Sequence, residues 1–440
     1  MRIAASTAAE AIKGRLVGPD VEFDGAAFDS RTIEPGQLFV PLVAERDGHE
    51  FIGDARANGA VAHLSSRPDD FRRNGTAIEV ADTGTALVAL AQWARQQLAA
   101  EVVGITGSVG KTSTKDLIAA AVGAGRRTTA NERSFNNEQG LPVTILGAPR
   151  DVEVLVLEMG MRGFGQISAL CEVGRPTVGV VTAVADAHTE LVGDIDGVAR
   201  AKRELVEALP KSGTAILNGD DQRVRAMASA TGAAVLTYGA KGDVQIVDLR
   251  LDERARPRFR VDTPWGTALV RLGVSGAHMA SNAAAAIAVA GTLGVDLAVA
   301  VAALESAQLS AMRMEVVGHQ SGATVVNDAY NANPTSMRAA LEAVAAMDGD
   351  RKIAVLGLMA ELDDPAAGHR EVAAVAADLN IELVAVGTDD YGVAPADDPL
   401  GVVGELRAGD VVLVKASRAA GLERVVEQLM SSAPPDIARG

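Results

Sequence analysis

The sequence predicts an α/β protein of three domains, the middle one built on a parallel sheet with helices on both faces. Three observations carry this. Short unbroken aliphatic runs alternate with longer Ala-rich stretches of helical character, the pattern of strands buried from both sides. The length, 440 residues, corresponds to two or three domains at roughly 150 residues each. Hydrophobic residues make up 48% but aromatics only 3%, so the cores must be built from Ala, Val, Leu and Ile.

Taken in order, residues 1–98 carry short mixed strands and helices and close with a helix over 84–98. The block 99–308 opens with the strand Val102-Val103-Gly104-Ile105 and continues with buried strands at 152–157, 178–184 and 215–217. Between about 233 and 274 the pattern changes to alternation, as in Val244-Gln245-Ile246-Val247 and Phe259-Arg260-Val261, which predicts a β-meander. The stretch 283–304 is the best membrane candidate, but Ala dominates it and Asp296 interrupts it, so it reads as packed helices. The block 309–440 holds strands at 323–326, 353–356, 383–386 and 411–414, and 432–440 reads as a frayed tail. A formal charge of −16 argues against nucleic-acid partners, which need basic surface and stacking rings. The sole cysteine, Cys171, excludes a disulfide framework and a cysteine-rich zinc module. Glu10 and Lys13 break the N-terminal apolar stretch, so no signal peptide is expected, and the chain is expected to be cytoplasmic without membrane insertion.

In an open parallel sheet, ligands gather beyond the carboxyl ends of the strands. Here nearly every apolar run discharges into a polar cluster. The first strand of the middle block leads into Thr106-Gly107-Ser108-Val109-Gly110-Lys111-Thr112. Its glycines let backbone N–H groups turn toward a phosphate at a helix start, Lys111 can reach the outer phosphates, and Thr112 can join a Mg²⁺ shell. The general phosphate-loop pattern asks for Gly at position 105, where Ile105 stands. Glu158 ends a neighbouring strand and is a natural second oxygen ligand for magnesium, which takes few protein carboxylates. His188 follows another strand end together with Asp186 and Glu190. Only eight of the 41 basic residues are Lys, so each lysine in a strand-end cluster invites a chemical reading, because Lys, unlike Arg, can be deprotonated and modified. Lys111 and Lys415 sit in such clusters. For Lys202, on a helix after His188, composition alone favours a solvated face.

Together these residues resemble the Mur ligases, ATP-dependent amide-bond ligases of peptidoglycan precursor synthesis. The resemblance is carried by 106–112, Glu158, His188, Ala201-Lys202-Arg203-Glu204, Ser134-Phe135-Asn136-Asn137-Glu138, the run from Asp328 through Tyr330-Asn331-Ala332-Asn333-Pro334, and Lys415-Ala416-Ser417-Arg418. Asp29-Ser30-Arg31 and Asp47-Gly48-His49 extend it to an N-terminal uridine-nucleotide domain. It implies a central P-loop-type domain (99–308), a Rossmann-like C-terminal domain (309–440) and a smaller N-terminal α/β domain (1–98). It also implies ATP and two Mg²⁺ ions as cofactors. ATP contacts would come from Thr106, Gly107, Ser108, Val109, Gly110, Lys111, Thr112, Asn137, His278, Asn282, Arg313 and Asp328. The metals would be held by Thr112, Glu158, His188 and a CO₂-carbamylated Lys202, with Lys111, Lys202 and His188 serving catalysis. Ser30, Arg31, Asp47, Gly48, His49, Tyr330, Asn331, Asn333, Lys415, Ser417 and Arg418 would meet the substrates, a UDP-N-acetylmuramoyl-tripeptide and D-alanyl-D-alanine, in a monomer. Met279, Met312, Leu358 and Ala416 depart from the family pattern. Two other readings stay open: a different Mur-type or folylpolyglutamate-synthase-like ligase, and a nucleotide-dependent regulatory protein that no longer ligates.

Overall fold

The computed structural model describes residues 1–67, 75–132, 135–185, 189–360 and 362–431. Its centre is a nine-stranded sheet. From one edge the order is Thr128–Ala130, Val154–Glu158, Glu101–Thr106, Val178–Val181, Thr214–Asn218, Ala234–Gly239, Val244–Leu251, Pro257–Thr263 and Gly266–Arg271. Neighbours are parallel up to Val244–Leu251, and the last two strands then return antiparallel. The predicted meander is therefore the far wing of the same sheet. Alternate residues go to opposite faces, as the strand period requires: Val102, Leu155 and Leu157 join one hydrophobic cluster, Val103, Ile105, Val154 and Val156 another.

On one face the Ala-rich helix Met279–Thr292 lies against the helix Lys111–Gly123. Ala283 to Ala290 are all buried, as expected of a helix that is apolar all round. The predicted stretch 283–304 is in fact two helices. Gly294 turns the chain at φ +75°, and Asp296 caps the second helix, Leu297–Glu305, by accepting from the N–H groups of Ala298 and Val299. Among the described residues no helix is long and apolar enough to cross a membrane.

The predicted strand 178–184 stops at Val181. Beyond it the backbone serves the glycine-rich loop: Ser108 N–H donates to the Ala183 carbonyl at 2.7 Å, and Ser108 Oγ and Ala185 N–H pair at 2.9 Å. The C-terminal sheet runs Glu315–Gly318, Thr324–Asp328, Asp410–Lys415, Arg351–Leu356, Glu382–Ala385, parallel except for its first pair. The N-terminal residues form a five-stranded sheet, Arg15–Val17, Thr76–Glu79, Ala62–Ser65, Leu38–Phe39 and Ala26–Ala27, and a two-stranded ribbon. The helix Thr83–Gln96, capped by Asp82 on Thr85 N–H, comes next in the chain. Its Leu87, Leu90, Ala91 and Ala94 share a core with Leu141, Ile145 and Leu157 of the central block.

Candidate active site

The glycine-rich loop joins Glu101–Thr106 to Lys111–Gly123 at the carboxyl edge of the central sheet. Its glycines are required sterically. Gly107 has φ +154°, and a Cβ there would fall 1.8 Å from Thr182 Oγ1. Gly110, at φ +81°, would bring a Cβ within 3.0 Å of Asn282 Oδ1. Ile105, the departure from the general pattern, is a fully buried sheet residue. Lys111 Nζ folds back to donate to the carbonyls of Gly107 (2.7 Å) and Ser108 (3.3 Å).

Beneath the loop lies a closed set of polar contacts. Thr112 Oγ1 donates to Glu158 Oε2 at 2.7 Å, and Asn136 Nδ2 donates to Glu158 Oε1 at 2.8 Å. Glu158 is only 1% exposed, and its backbone N–H donates to Asn131 Oδ1 at 2.9 Å. A hydroxyl and one carboxylate at the foot of a phosphate loop suit magnesium, which keeps waters and phosphate oxygens as its other ligands. Asn137, expected to contact ATP, accepts from Gly140 N–H at 2.9 Å at the start of helix Gly140–Gly147 and lines the cavity described below. Asn131 and Asn136, which hold Glu158, and Lys115, which donates to the Asn131 carbonyl at 2.8 Å, are thus supporting residues that sequence reasoning missed. Asn136 stood in the quoted motif, but nothing in the string tells which of two adjacent asparagines turns inward.

Lys202 corrects the reading from composition. It lies on the helix Ile195–Glu207, is 2% exposed, and lines the same cavity as Lys111. Burial, reinforced by the Lys111 charge, pushes its amine well below the usual lysine range. His188 and Asp186 lie outside the described residues, as do Ser134, Glu361 and 432–440.

The C-terminal domain supplies the opposite wall. Asp328 and Lys415 are register partners on adjacent parallel strands and form a part-buried ion pair at 2.6 Å. Lys415 also donates to the Asn331 carbonyl at 2.8 Å. The Arg313 guanidinium stands 4.4 Å over the Tyr330 ring, and its Nε is buried without a hydrogen-bond partner. His278, from the central domain, is held below the usual histidine range by desolvation and by Lys415, with Asp328 opposing. Asn333 caps the helix Pro334–Ala345 in a reciprocal box with Ser336. Arg418 pairs with Glu423 at 2.9 Å and approaches Met312 Sδ at 3.2 Å. The Ser417 hydroxyl accepts from Ala360 N–H at 2.9 Å.

The two walls enclose a cavity of about 1030 Å³. Ser108 to Thr112, Asn137, Glu158, Lys202, His278 and Asn282 line it from the central domain, and Arg313, Asp328, Tyr330, Asn331, Asn333, Lys415 and Arg418 from the C-terminal one. Thr106, Gly107 and Ser417 are not among the lining residues. The N-terminal candidates are not brought to it. The Ser30 carbonyl accepts from Asn58, Arg31 pairs with Asp29, and Asp47 caps the turn Gly48–Phe51 while accepting from His49 Nδ1 at 2.6 Å. A Cβ on Gly48 would meet the Leu42 backbone at 2.7 Å.

The UDP-N-acetylmuramoyl-tripeptide–D-alanyl-D-alanine ligase of Mycobacterium tuberculosis is 40% identical over 468 residues, covering 92% of this chain and 91% of the relative. That of Bacillus subtilis is 35% identical over 455 residues, covering 96% and 97%. The chain belongs to the Mur ligase family. Residues 105–290 of this Mur ligase match the Mur ligase middle domain, and 312–433 match the Mur ligase, glutamate ligase domain. In three dimensions it is similar to MurF from Acinetobacter baumannii, with a TM-score of 0.87 at 28% identity over 98% of this chain and 99% of that one. It is similar also to the MurF ligase from Thermotoga maritima in complex with ADP, with a TM-score of 0.80 at 28% identity over 92% and 97%.

Proposed function

We propose that this Mur ligase joins D-alanyl-D-alanine to a UDP-N-acetylmuramoyl-tripeptide at the expense of ATP, releasing ADP and phosphate, as a cytoplasmic monomer. The observation that carries the reading is a cavity with a phosphate loop on one wall and the Asp328–Lys415 pair with Arg313 on the other. The names of the relatives supply the substrates. Against a diaminopimelate-adding ligase, the chain carries no Asp-Asn-Pro-Arg segment of the kind associated with that selection, and the partial echo Asp363-Asp364-Pro365 is a helix start, with Asp364 capping Pro365–Asp378.

A carboxylate is a poor electrophile, because its charge is delocalised and its oxygen leaves badly. Transfer of the γ-phosphoryl group to the tripeptide's terminal carboxylate gives an acyl phosphate and ADP. The loop N–H groups and Lys111 stabilise the charge on the moving phosphoryl oxygens. To do so, Lys111 exchanges its carbonyl partners on Gly107 and Ser108 for phosphate. The dipeptide's neutral amine then attacks the acyl carbon, the tetrahedral adduct collapses, phosphate leaves, and the amine's extra proton is lost. Two Mg²⁺ ions would neutralise phosphate charge, one at Thr112 and Glu158, the other at His188 and Lys202. Lys202 fits carbamylation because its burial favours the neutral amine, the form that adds CO₂ to yield a carbamate anion and a proton. The enclosing walls keep water from the acyl phosphate.

Incubating purified protein with ATP, uridine-linked tripeptides and a panel of amines, and weighing the products, tests the assignment. A mass gain equal to D-alanyl-D-alanine minus water is expected. A product formed only with a free amino acid, or none at all, overturns it.

A further inference from the structure

Two hydrogen bonds run from the phosphate-loop helix to the connector that leads into the C-terminal domain. Asp116 Oδ2 accepts from Ser310 N–H at 2.7 Å, and Asp116 Oδ1 accepts from the Ser310 hydroxyl at 3.2 Å. The carboxylate is itself held by Lys115, 3.1 Å away, and the side chains are 12% and 3% exposed. Lys115 donates to the Asn131 carbonyl at 2.8 Å, while Asn131 Oδ1 accepts from Glu158 N–H, and Glu158 accepts from Thr112. Residues 112, 115 and 116 share one turn of helix, so the groups beneath the phosphate loop and the anchor of the connector belong to one rigid unit.

The connector beyond Ser310 is not slack. Met312 and Met314 have φ +60° and +49°, conformations that side-chain-bearing residues adopt only when their surroundings impose them. Met314 N–H donates to Asp328 Oδ1 at 3.1 Å, which clamps the far end. Between the two aspartate clamps sits Arg313, its Nε buried and unpaired at the cavity wall.

We infer that Asp116 is a positioning residue: by gripping Ser310 it fixes where the connector leaves the phosphate-loop helix, and so delivers Arg313 to the nucleotide held by that same helix. The inference rests on the ligase reading in taking Arg313 as a nucleotide contact. A carboxylate suits the task because it accepts from both Ser310 donors while paired with a buried cation. A shift at residue 310 is carried to Arg313 within three residues.

A double-mutant cycle on the full chain tests this, with Asp116→Ala, Arg313→Ala and the pair. Asp116→Asn, which keeps an acceptor for Ser310 N–H, is the conservative control. The readouts are the Kd of a fluorescent ADP analogue and, in the ligation assay, kcat and KM for ATP. Each single alanine variant is expected to weaken ADP about ten-fold, and the pair no more than Arg313→Ala alone, because residues acting through one contact are non-additive. Asp116→Asn is expected to stay within about three-fold of the unmodified protein. Independent effects, about a hundred-fold in the pair, overturn the inference, as does normal ADP binding in either single variant. Should Asp116→Ala not fold, Ser310→Ala takes its place in the cycle with an expected loss of about three-fold, and the same additivity criterion decides. ADP binding that follows the cycle in a protein that makes no amide product would sink the ligase reading and leave the positioning role standing.

Discussion

At the residue scale, the chemistry depends on groups whose surroundings override their ordinary behaviour. Lys202 is the leading case. Lys202→Ala should lose activity by about a hundred-fold or more, and acetate or propionate should partly restore it by occupying the place of a carbamate carboxylate. Turnover measured against carboxylate concentration checks this, and no recovery at any concentration removes the carbamate. The depressed amine also has a pH consequence. Between its lowered folded value and the unfolded value of about 10.4 the unfolded chain binds the extra proton, so stability rises with pH across that window. In CO₂-free buffer the melting temperature of the unmodified protein should climb with pH there, and Lys202→Met should flatten the climb. Glu158→Gln keeps the bond from Thr112 but removes the charge, so the Mg²⁺ needed for half-maximal turnover should rise about ten-fold. An unchanged titration would take Glu158 out of the shell. These residues were unequally legible. Gly107 and Gly110 could be read because their backbone angles and close neighbours exclude a side chain. The burial of Lys202 could not, because a lysine on a helix reads as solvated until the packing partners of that helix are known. Asp47-Gly48-His49 read as a binding motif, and the sequence did not show that Asp47 also caps a turn and accepts from His49.

At the element scale, most strands announced themselves, because runs such as Val154–Leu157 are buried on both faces and carry no polar interruption. Ends were harder. Val178–Val181 gives way where Ala183 and Ala185 turn to serve Ser108, a long-range demand that no local pattern encodes. The connector into the third domain shows how one departure from the family pattern is accommodated. Met312 occupies a left-handed conformation that glycine takes without penalty, at a cost of roughly 1–2 kcal/mol. Met312→Gly should therefore hold or raise the unfolding midpoint in denaturant even though it gives up the contact with Arg418. Met312→Val, branched at Cβ, should lower stability by about 1–2 kcal/mol. A marked loss of stability in the glycine variant would show that the sulfur contact outweighs the strain.

At the scale of the whole molecule, the cavity exists only because two sheets present their carboxyl ends to each other. That arrangement was readable as a coincidence of polar clusters after apolar runs from two blocks. That the charges of Asp328 and Lys415 reach His278 across the divide was not readable, since it depends on how the blocks are mounted. A two-walled site makes a kinetic prediction. With ATP and the tripeptide nucleotide but no amine, oxygen label in the β–γ bridge of ATP should scramble, because phosphoryl transfer is reversible while the acyl phosphate is shielded. Label that stays in place under conditions of turnover argues against that intermediate.

The helix Thr83–Gln96 lies at the end of the first block in sequence, yet its apolar stripe completes the packing of Leu141, Ile145 and Leu157 in the second. Anyone dissecting the chain for crystallography or screening should therefore cut near 82 and leave this helix attached to the central block. A fragment beginning at 99 would present a bare aliphatic trough to solvent and come out of expression as aggregate.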